Sequence, residues 1–201
     1  LTHGTDPVHK ATIIPRHVIN HATGEVMNES RNMFVEAARI ARGNIIQIQD
    51  VQPSDIDGLI IPGGFGSAKN FTKWAFEGPD GTILPEVKLL LVNLINIGKP
   101  IAALCVSPVV LAKALEDSSI HPSLTIGSTA AASPYDIAAF SQGLEKTGAK
   151  TTYKTVQEIH VDLENKIVTA PCYMMDASIS DIWKNIQQAV AELKKLATTT
   201  I

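Results

Sequence analysis

The sequence predicts an α/β protein, a mostly parallel sheet carrying helices on both faces. Three observations point there. Short, wholly apolar runs such as Ile101-Ala-Ala-Leu104 suit central parallel strands, which are buried on both faces. Stretches with apolar residues at i, i+3 and i+4 lie between those runs, so strands and helices alternate. Glycines stand where helices should stop, at Gly43, Gly98 and Gly148.

Taken in order, Asn28 to Arg42 reads as a helix. Ser30 is its expected cap, and Met33, Phe34, Ala37, Ile40 and Ala41 form its apolar stripe. Ile45 to Ile48 reads as a strand, and Asp57 to Pro62 as another running into Gly63-Gly-Phe-Gly66. Pro85 to Ile97 is a helix, and the Ile101–Leu104 strand is followed by a helix to about Leu115. Leu124 to Gly127 is a short strand, Tyr135 to Thr147 a helix, and Val156 to Asp162 and Lys166 to Pro171 two strands around Glu164-Asn165. Ser178 to Leu196 is a long amphipathic helix. No linker or repeat interrupts this, so residues 1–201 are expected to form a single domain. Leu1 to Gly24 fits poorly, and the first strand–helix unit is expected to be truncated or incompletely represented.

Hydrophobic residues make up 45% of the chain, charged residues 18%, and the net charge is −3, which points to neither nucleic acid nor an anionic membrane as partner. No apolar run approaches the roughly 18 residues of a membrane span, and the opening residues lack a signal-peptide pattern. Two cysteines make no disulfide framework, so a reducing compartment is expected. That compartment is the cytoplasm, or the mitochondrion if a transit peptide has been removed. No Cys/His cluster has zinc-ligand spacing, and neither metal nor cofactor is expected.

The chemistry concentrates at Cys105. A strand, a sharp turn bearing a thiol and a helix opening at Pro108 form a nucleophile elbow, and the helix N-terminus should favour thiolate. The alternative is an inert structural cysteine. Cys172, after a strand but among bulky apolar neighbours, is expected to be structural. Pro62-Gly-Gly-Phe-Gly-Ser-Ala-Lys-Asn70 lacks both P-loop and dinucleotide spacing. Its Gly63 and Gly64 N–H groups, with that of Val106 after the nucleophile, could instead form an oxyanion hole, although a plain tight turn is also open. Phe65, Asn70 and His9 are expected to line a substrate pocket. His3, Asp6, His9, His17 and His21 could supply an acid–base partner, although each histidine reads more simply as a surface or satisfied-core residue, and His160, on a strand, is expected to be structural. Glu29, Arg31, Glu36, Arg39 and Arg42 most simply form a solvated face of i,i+3 pairs, or a surface that holds a loop or a second copy.

Together Val18-Ile-Asn-His-Ala-Thr-Gly-Glu25, Glu29-Ser-Arg-Asn32, Glu36-Ala-Ala-Arg-Ile-Ala-Arg-Gly43, Pro62 to Asn70, Gly98-Lys-Pro100 leading to Cys105-Val-Ser-Pro108, and Asp162 to Pro171 resemble the ElbB-type branch of the ThiJ/PfpI family, from about residue 18 onward. The resemblance implies a flavodoxin-like three-layer sandwich related to class I glutamine amidotransferases, a homodimer, Cys105 as reactive cysteine, and an oxyanion pocket from Gly64 and Val106. It implies a carboxylic acid against the thiol. The nearest match is Asp6, with a shorter arm than the family's acid and a proline beside it. Protease members carry His directly after the cysteine, and Val106 stands there instead. Amidotransferases need a late His-Glu pair that Pro171 to Asp176 does not supply. The expected function is cofactor-independent glyoxalase chemistry on a small aldehyde, methylglyoxal or glyoxal. The alternatives are a redox or stress-response protein using an oxidisable Cys105, or a non-catalytic interaction protein on the same fold.

Overall fold

The computed structural model describes residues 18–198. The chain divides into two compact units between Val51 and Gln52.

In the first unit, β1 (Val18–Ile19) and β2 (Val26–Met27) pair antiparallel, with Val18 opposite Met27 and Ile19 opposite Val26. The turn between them closes because the Asn20 side chain accepts the Ala22 N–H at 3.0 Å, an Asx turn, and Gly24 takes φ +77°. Helix α1 spans Met33–Ala41. It starts later than the periodicity predicts, because Asn32 rather than Ser30 has the extended backbone of a cap and accepts the Val35 N–H at 3.1 Å. Arg42 and Gly43, both left-handed, end it. Glu36 pairs with Arg31 and Arg39, and Arg31 also with Glu29, as expected of a solvated charged face. The apolar stripe is not core: no α1 residue is buried and Ile40 is 89% exposed. Nor is Ile45–Ile48 a strand. Ile48–Asp50 is a 3₁₀ turn, and the segment pairs with no strand among the described residues. An apolar run without a backbone partner has no ladder to join.

The second unit holds the sheet. In chain order it comprises β3 (Leu59–Ile61), α2 (Trp74–Glu77), α3 (Pro85–Asn96), β4 (Ile101–Leu104), α4 (Pro108–Leu115), β5 (Ser123–Leu124), α5 (Ile137–Lys146), β6 (Lys150–Thr151), β7 (His160–Asp162), β8 (Ile167–Ala170) and α6 (Ile179–Thr198). The main sheet runs β3-β4-β8-β7, with β3, β4 and β8 parallel and β7 antiparallel to β8. A separate parallel pair joins β5 and β6. Most predicted strands and helices of this unit form with bounds within one or two residues; the strand expected over 156–162 begins only at His160, that expected over 124–127 is the pair Ser123–Leu124, and α2 and β6 have no counterpart in the sequence reading.

Every residue of β4 and β8 is buried, which is why both read as unbroken apolar runs. Side chains alternate across the sheet. Ala102, Leu104, Val168 and Ala170 meet Ile182, Ala189, Leu193 and Leu196 of α6 on one face. Ile101, Ala103, Ile167 and Thr169 point to the other, where α4 packs on β4 and α3 packs on α4. Helix α4 is buried throughout, including Lys113. That ammonium is tolerated because it donates to the Pro79 carbonyl at 2.7 Å and pairs with Glu116. Since β3, β4 and β8 are parallel, the loops that leave their C-terminal ends open on one edge of the sheet. That edge carries the chemistry.

Candidate active site around Cys105

The ladder of β4 continues for one residue, as the Cys105 N–H donates to the Ala170 carbonyl at 2.9 Å. The chain then turns. Cys105 has φ +57°, a left-handed conformation that costs a non-glycine residue about 1–2 kcal/mol. The Ser107 N–H donates back to Leu104 O at 3.0 Å, and Pro108 opens α4 where its missing N–H costs nothing. The result is the elbow the sequence predicts, with the thiol held up from the sheet edge.

The loop after β3 lies against this elbow. Gly63 has φ +96°, and a Cβ on it would stand 2.6 Å from Leu104 O and 2.8 Å from Cys105 Cβ. Only glycine fits so close an approach. Gly64, at φ +76°, follows with its N–H directed to the Cys105 sulfur. The Ser67 hydroxyl donates to Gly64 O at 2.8 Å and lies 3.5 Å from the Ser107 hydroxyl, which ties the loop to the elbow. Phe65 stacks obliquely on Tyr135, ring centres 5.5 Å apart. Asn70 is half-buried in the single wide turn Ser67–Phe71.

A third segment closes the site from β8. After Pro171, Cys172 also turns left-handed, at φ +48°, and Cys172–Met174 forms a 3₁₀ turn. The N–H groups of Tyr173 and Met174 reach the Cys105 sulfur, that of Met174 shared with the Pro171 carbonyl at 3.0 Å. Four main-chain donors from three loops thus converge on one sulfur: Gly64, Val106, Tyr173 and Met174. Val106 and Met174 are buried, whereas Gly64, Phe65 and Tyr173 are exposed, and Cys105 itself is half-buried. The sulfur therefore has a closed floor and an open rim.

Of the residues predicted for the site, Gly63, Gly64, Cys105 and Val106 come together at the elbow, with Phe65 and Asn70 on the same glycine loop. Asp6 and His9 lie outside the described residues. Tyr173 and Met174 were not anticipated. Their contribution is main-chain N–H, which leaves no mark on residue type. The signal available was topological, a turn leaving a strand parallel to β4. Among the described residues no group of three or more His, Cys, Asp or Glu could hold a metal ion.

The thiol's charge state corrects one expectation. The helix N-terminus alone suggested thiolate. Instead burial pushes the Cys105 thiol above its ordinary value, and the N–H groups of Gly64, Val106, Tyr173 and Met174 pull it back only in part. Removing the sulfur from water outweighs the donors facing it. Alkylation of Cys105 by iodoacetamide, followed by peptide mass spectrometry, should therefore keep accelerating through pH 9. A plateau below pH 8 would contradict this.

Cys172 is buried more deeply. Burial, with a smaller push from Cys105, takes it up to about 12, so it stays a neutral thiol. The sign of its effect on stability follows. Its folded value lies above the ordinary 9.0, so its contribution is complete below about pH 9 and is lost as pH rises toward 12. Alkaline denaturation should begin near pH 9 and be blunted in Cys172→Ala. An unchanged pH profile would count against that assignment.

Fold and site together define a flavodoxin-like α/β protein with a cysteine at a strand-to-helix elbow. No protein-family model matches the chain. It is 36% identical over 182 residues to glutamine amidotransferase-like class 1 domain-containing protein 3, mitochondrial, of Homo sapiens, which covers 90% of this chain and 66% of that protein. It is 35% identical to the ES1 protein homolog, mitochondrial, of Rattus norvegicus, over 90% of this chain and 67% of that one. A solved structure of an isoprenoid biosynthesis protein with an amidotransferase-like domain from Ehrlichia chaffeensis superposes with a TM-score of 0.79 at 30% identity. The match covers 92% of this chain and 80% of that one. The chain belongs to the glutamine amidotransferase-like class 1 family. It spans about two thirds of the length of the mammalian relatives. Among the described residues no helix is long and apolar enough to cross a membrane.

Proposed function

We propose that the protein is a cysteine-dependent, cofactor-independent enzyme of the glyoxalase type, converting methylglyoxal or glyoxal to a 2-hydroxy acid. The observation that supports this best is the Cys105 sulfur on a left-handed elbow, half-buried, ringed by four main-chain donors. The thiol loses its proton to a base and adds to the aldehyde carbon, giving a hemithioacetal whose oxygen is held by the Gly64 and Val106 N–H groups. A proton then moves from that carbon to the neighbouring carbonyl carbon through an enediolate, leaving a thioester. Water hydrolyses the thioester, so one aldehyde and one water yield one hydroxy acid and the free thiol. Asp6 is the residue proposed to carry the protons. Phe65, Asn70 and His9 are proposed to border the substrate.

Purified protein should form lactate from methylglyoxal. Lactate formation no higher than that of Cys105→Ala overturns this reading. A second reading draws on the same donors, which would also stabilise the oxygens of an oxidised Cys105. Selective peroxide oxidation of Cys105 without turnover would favour it. The family resemblance further supports an ElbB-type assignment and a homodimer, the latter tested by sedimentation. The mitochondrial naming of the relatives supports a mitochondrial rather than cytoplasmic setting.

A further inference from the structure

Asn185 is the least expected residue of α6. It is fully buried, at 0% exposure, on the helix face that otherwise supplies Ile182, Ala189, Leu193 and Leu196 to the apolar core. An amide there is costly unless both its ends are bonded. Both are. Its Oδ1 accepts the Cys172 N–H at 3.0 Å, and its Nδ2 donates to the Glu158 carbonyl at 2.8 Å. The side chain therefore joins two loops of the sheet edge to the helix beneath them.

The first bond falls where the backbone needs support. Cys172 is a non-glycine residue at φ +48°, a conformation that persists only where its surroundings determine it. The two residues that follow, Tyr173 and Met174, carry the N–H groups that face the Cys105 sulfur.

We infer that Asn185 is a positioning residue for the Cys105 site, holding the Cys172 turn so that the Tyr173 and Met174 N–H groups stay on the sulfur. It acts through the turn, with its own amide engaged at Cys172 and Glu158. This rests on the reading of Cys105 as the reactive centre. The neighbouring titratable group is the Cys172 thiol, which stays neutral. The Glu158 carboxylate is engaged with Lys154 and Thr155, and Asp181 with Ser178 and Lys184. None of these needs to change charge for the effect.

The test is the pH dependence of Cys105 alkylation by iodoacetamide in the unaltered protein, Asn185→Ala and Leu193→Ala. The last opens a cavity in the same core about two helical turns along α6 from Asn185 and leaves both Asn185 hydrogen bonds in place. If the unaltered protein is not alkylated at Cys105, the reading of the site fails, not the role of Asn185. Given alkylation, Asn185→Ala should raise the midpoint by about one pH unit, a roughly tenfold slower reaction at fixed pH below it. Leu193→Ala should lower stability and leave the midpoint in place. A midpoint unmoved in Asn185→Ala, or moved equally in both variants, overturns the inference. Should Asn185→Ala not fold, amide hydrogen exchange on the unaltered protein decides. The Cys172, Tyr173 and Met174 N–H groups should exchange as slowly as the buried turns of α6. Fast exchange of these three while α6 stays protected overturns it.

Discussion

Cys105→Ala is expected to reduce lactate formation from methylglyoxal by about 10³-fold or more, with little change in thermal stability. The magnitude follows from what the thiol does in the proposed cycle. It forms and later breaks the bond to the aldehyde carbon, so its removal takes away both half-reactions rather than trimming one. Stability should hold because alanine fills most of the same half-buried space and meets the same left-handed φ of +57°. Coupled chromatographic detection of lactate, with a melting curve for each protein, checks both parts. Retained turnover would move the chemistry away from this sulfur.

Gly63→Ala should be the most damaging single methyl at this edge of the sheet. Two separate costs meet there. The residue sits at φ +96°, and the added Cβ would lie 2.6 Å from Leu104 O, a main-chain atom of the central strand with no freedom to rotate away. Backbone strain and displacement together should cost on the order of 3 kcal/mol, lowering the melting temperature by about 6–12 °C in a domain of this size. The same Cβ would press on Cys105 Cβ at 2.8 Å, so the alkylation rate of Cys105 should change as well. Gly64→Ala makes a useful contrast. It shares the strain of φ +76°, but its Cβ would meet nothing within 4 Å, so the smaller penalty is expected. Equal effects of the two substitutions would show that the close approach under the elbow is unimportant.

Much of this architecture was legible in the sequence. The Ile101–Leu104 run, the Pro108 that follows and the glycines after Ile61 are local signals. Each acts through backbone freedom or uniform burial, so the elbow and its glycine loop could be placed before any tertiary contact was known. Other features resisted for physical reasons. The apolar spacing of Met33 to Ala41 announces an amphipathic helix but not what covers its stripe, and Ile40 is exposed. Ile45 to Ile48 has strand composition, but composition supplies no partner backbone. Asp6 and His9, the expected acid and pocket residues, lie outside the described residues.

The sequence by itself determined most of the strand and helix order from β3 onward, the identity of the thiol at the elbow, and the absence of the histidine that protease members of the family it resembles carry beside it. Only the tertiary structure decided how that thiol is surrounded. Two of its four donors, Tyr173 and Met174, come from a loop some 70 residues away in the chain, brought in because β8 pairs parallel with β4 and ends beside it. Their N–H groups belong to the main chain and have no residue signature. The raised affinity of Cys105 for its proton is likewise a balance of burial against those donors, a sum over neighbours that no stretch of sequence contains.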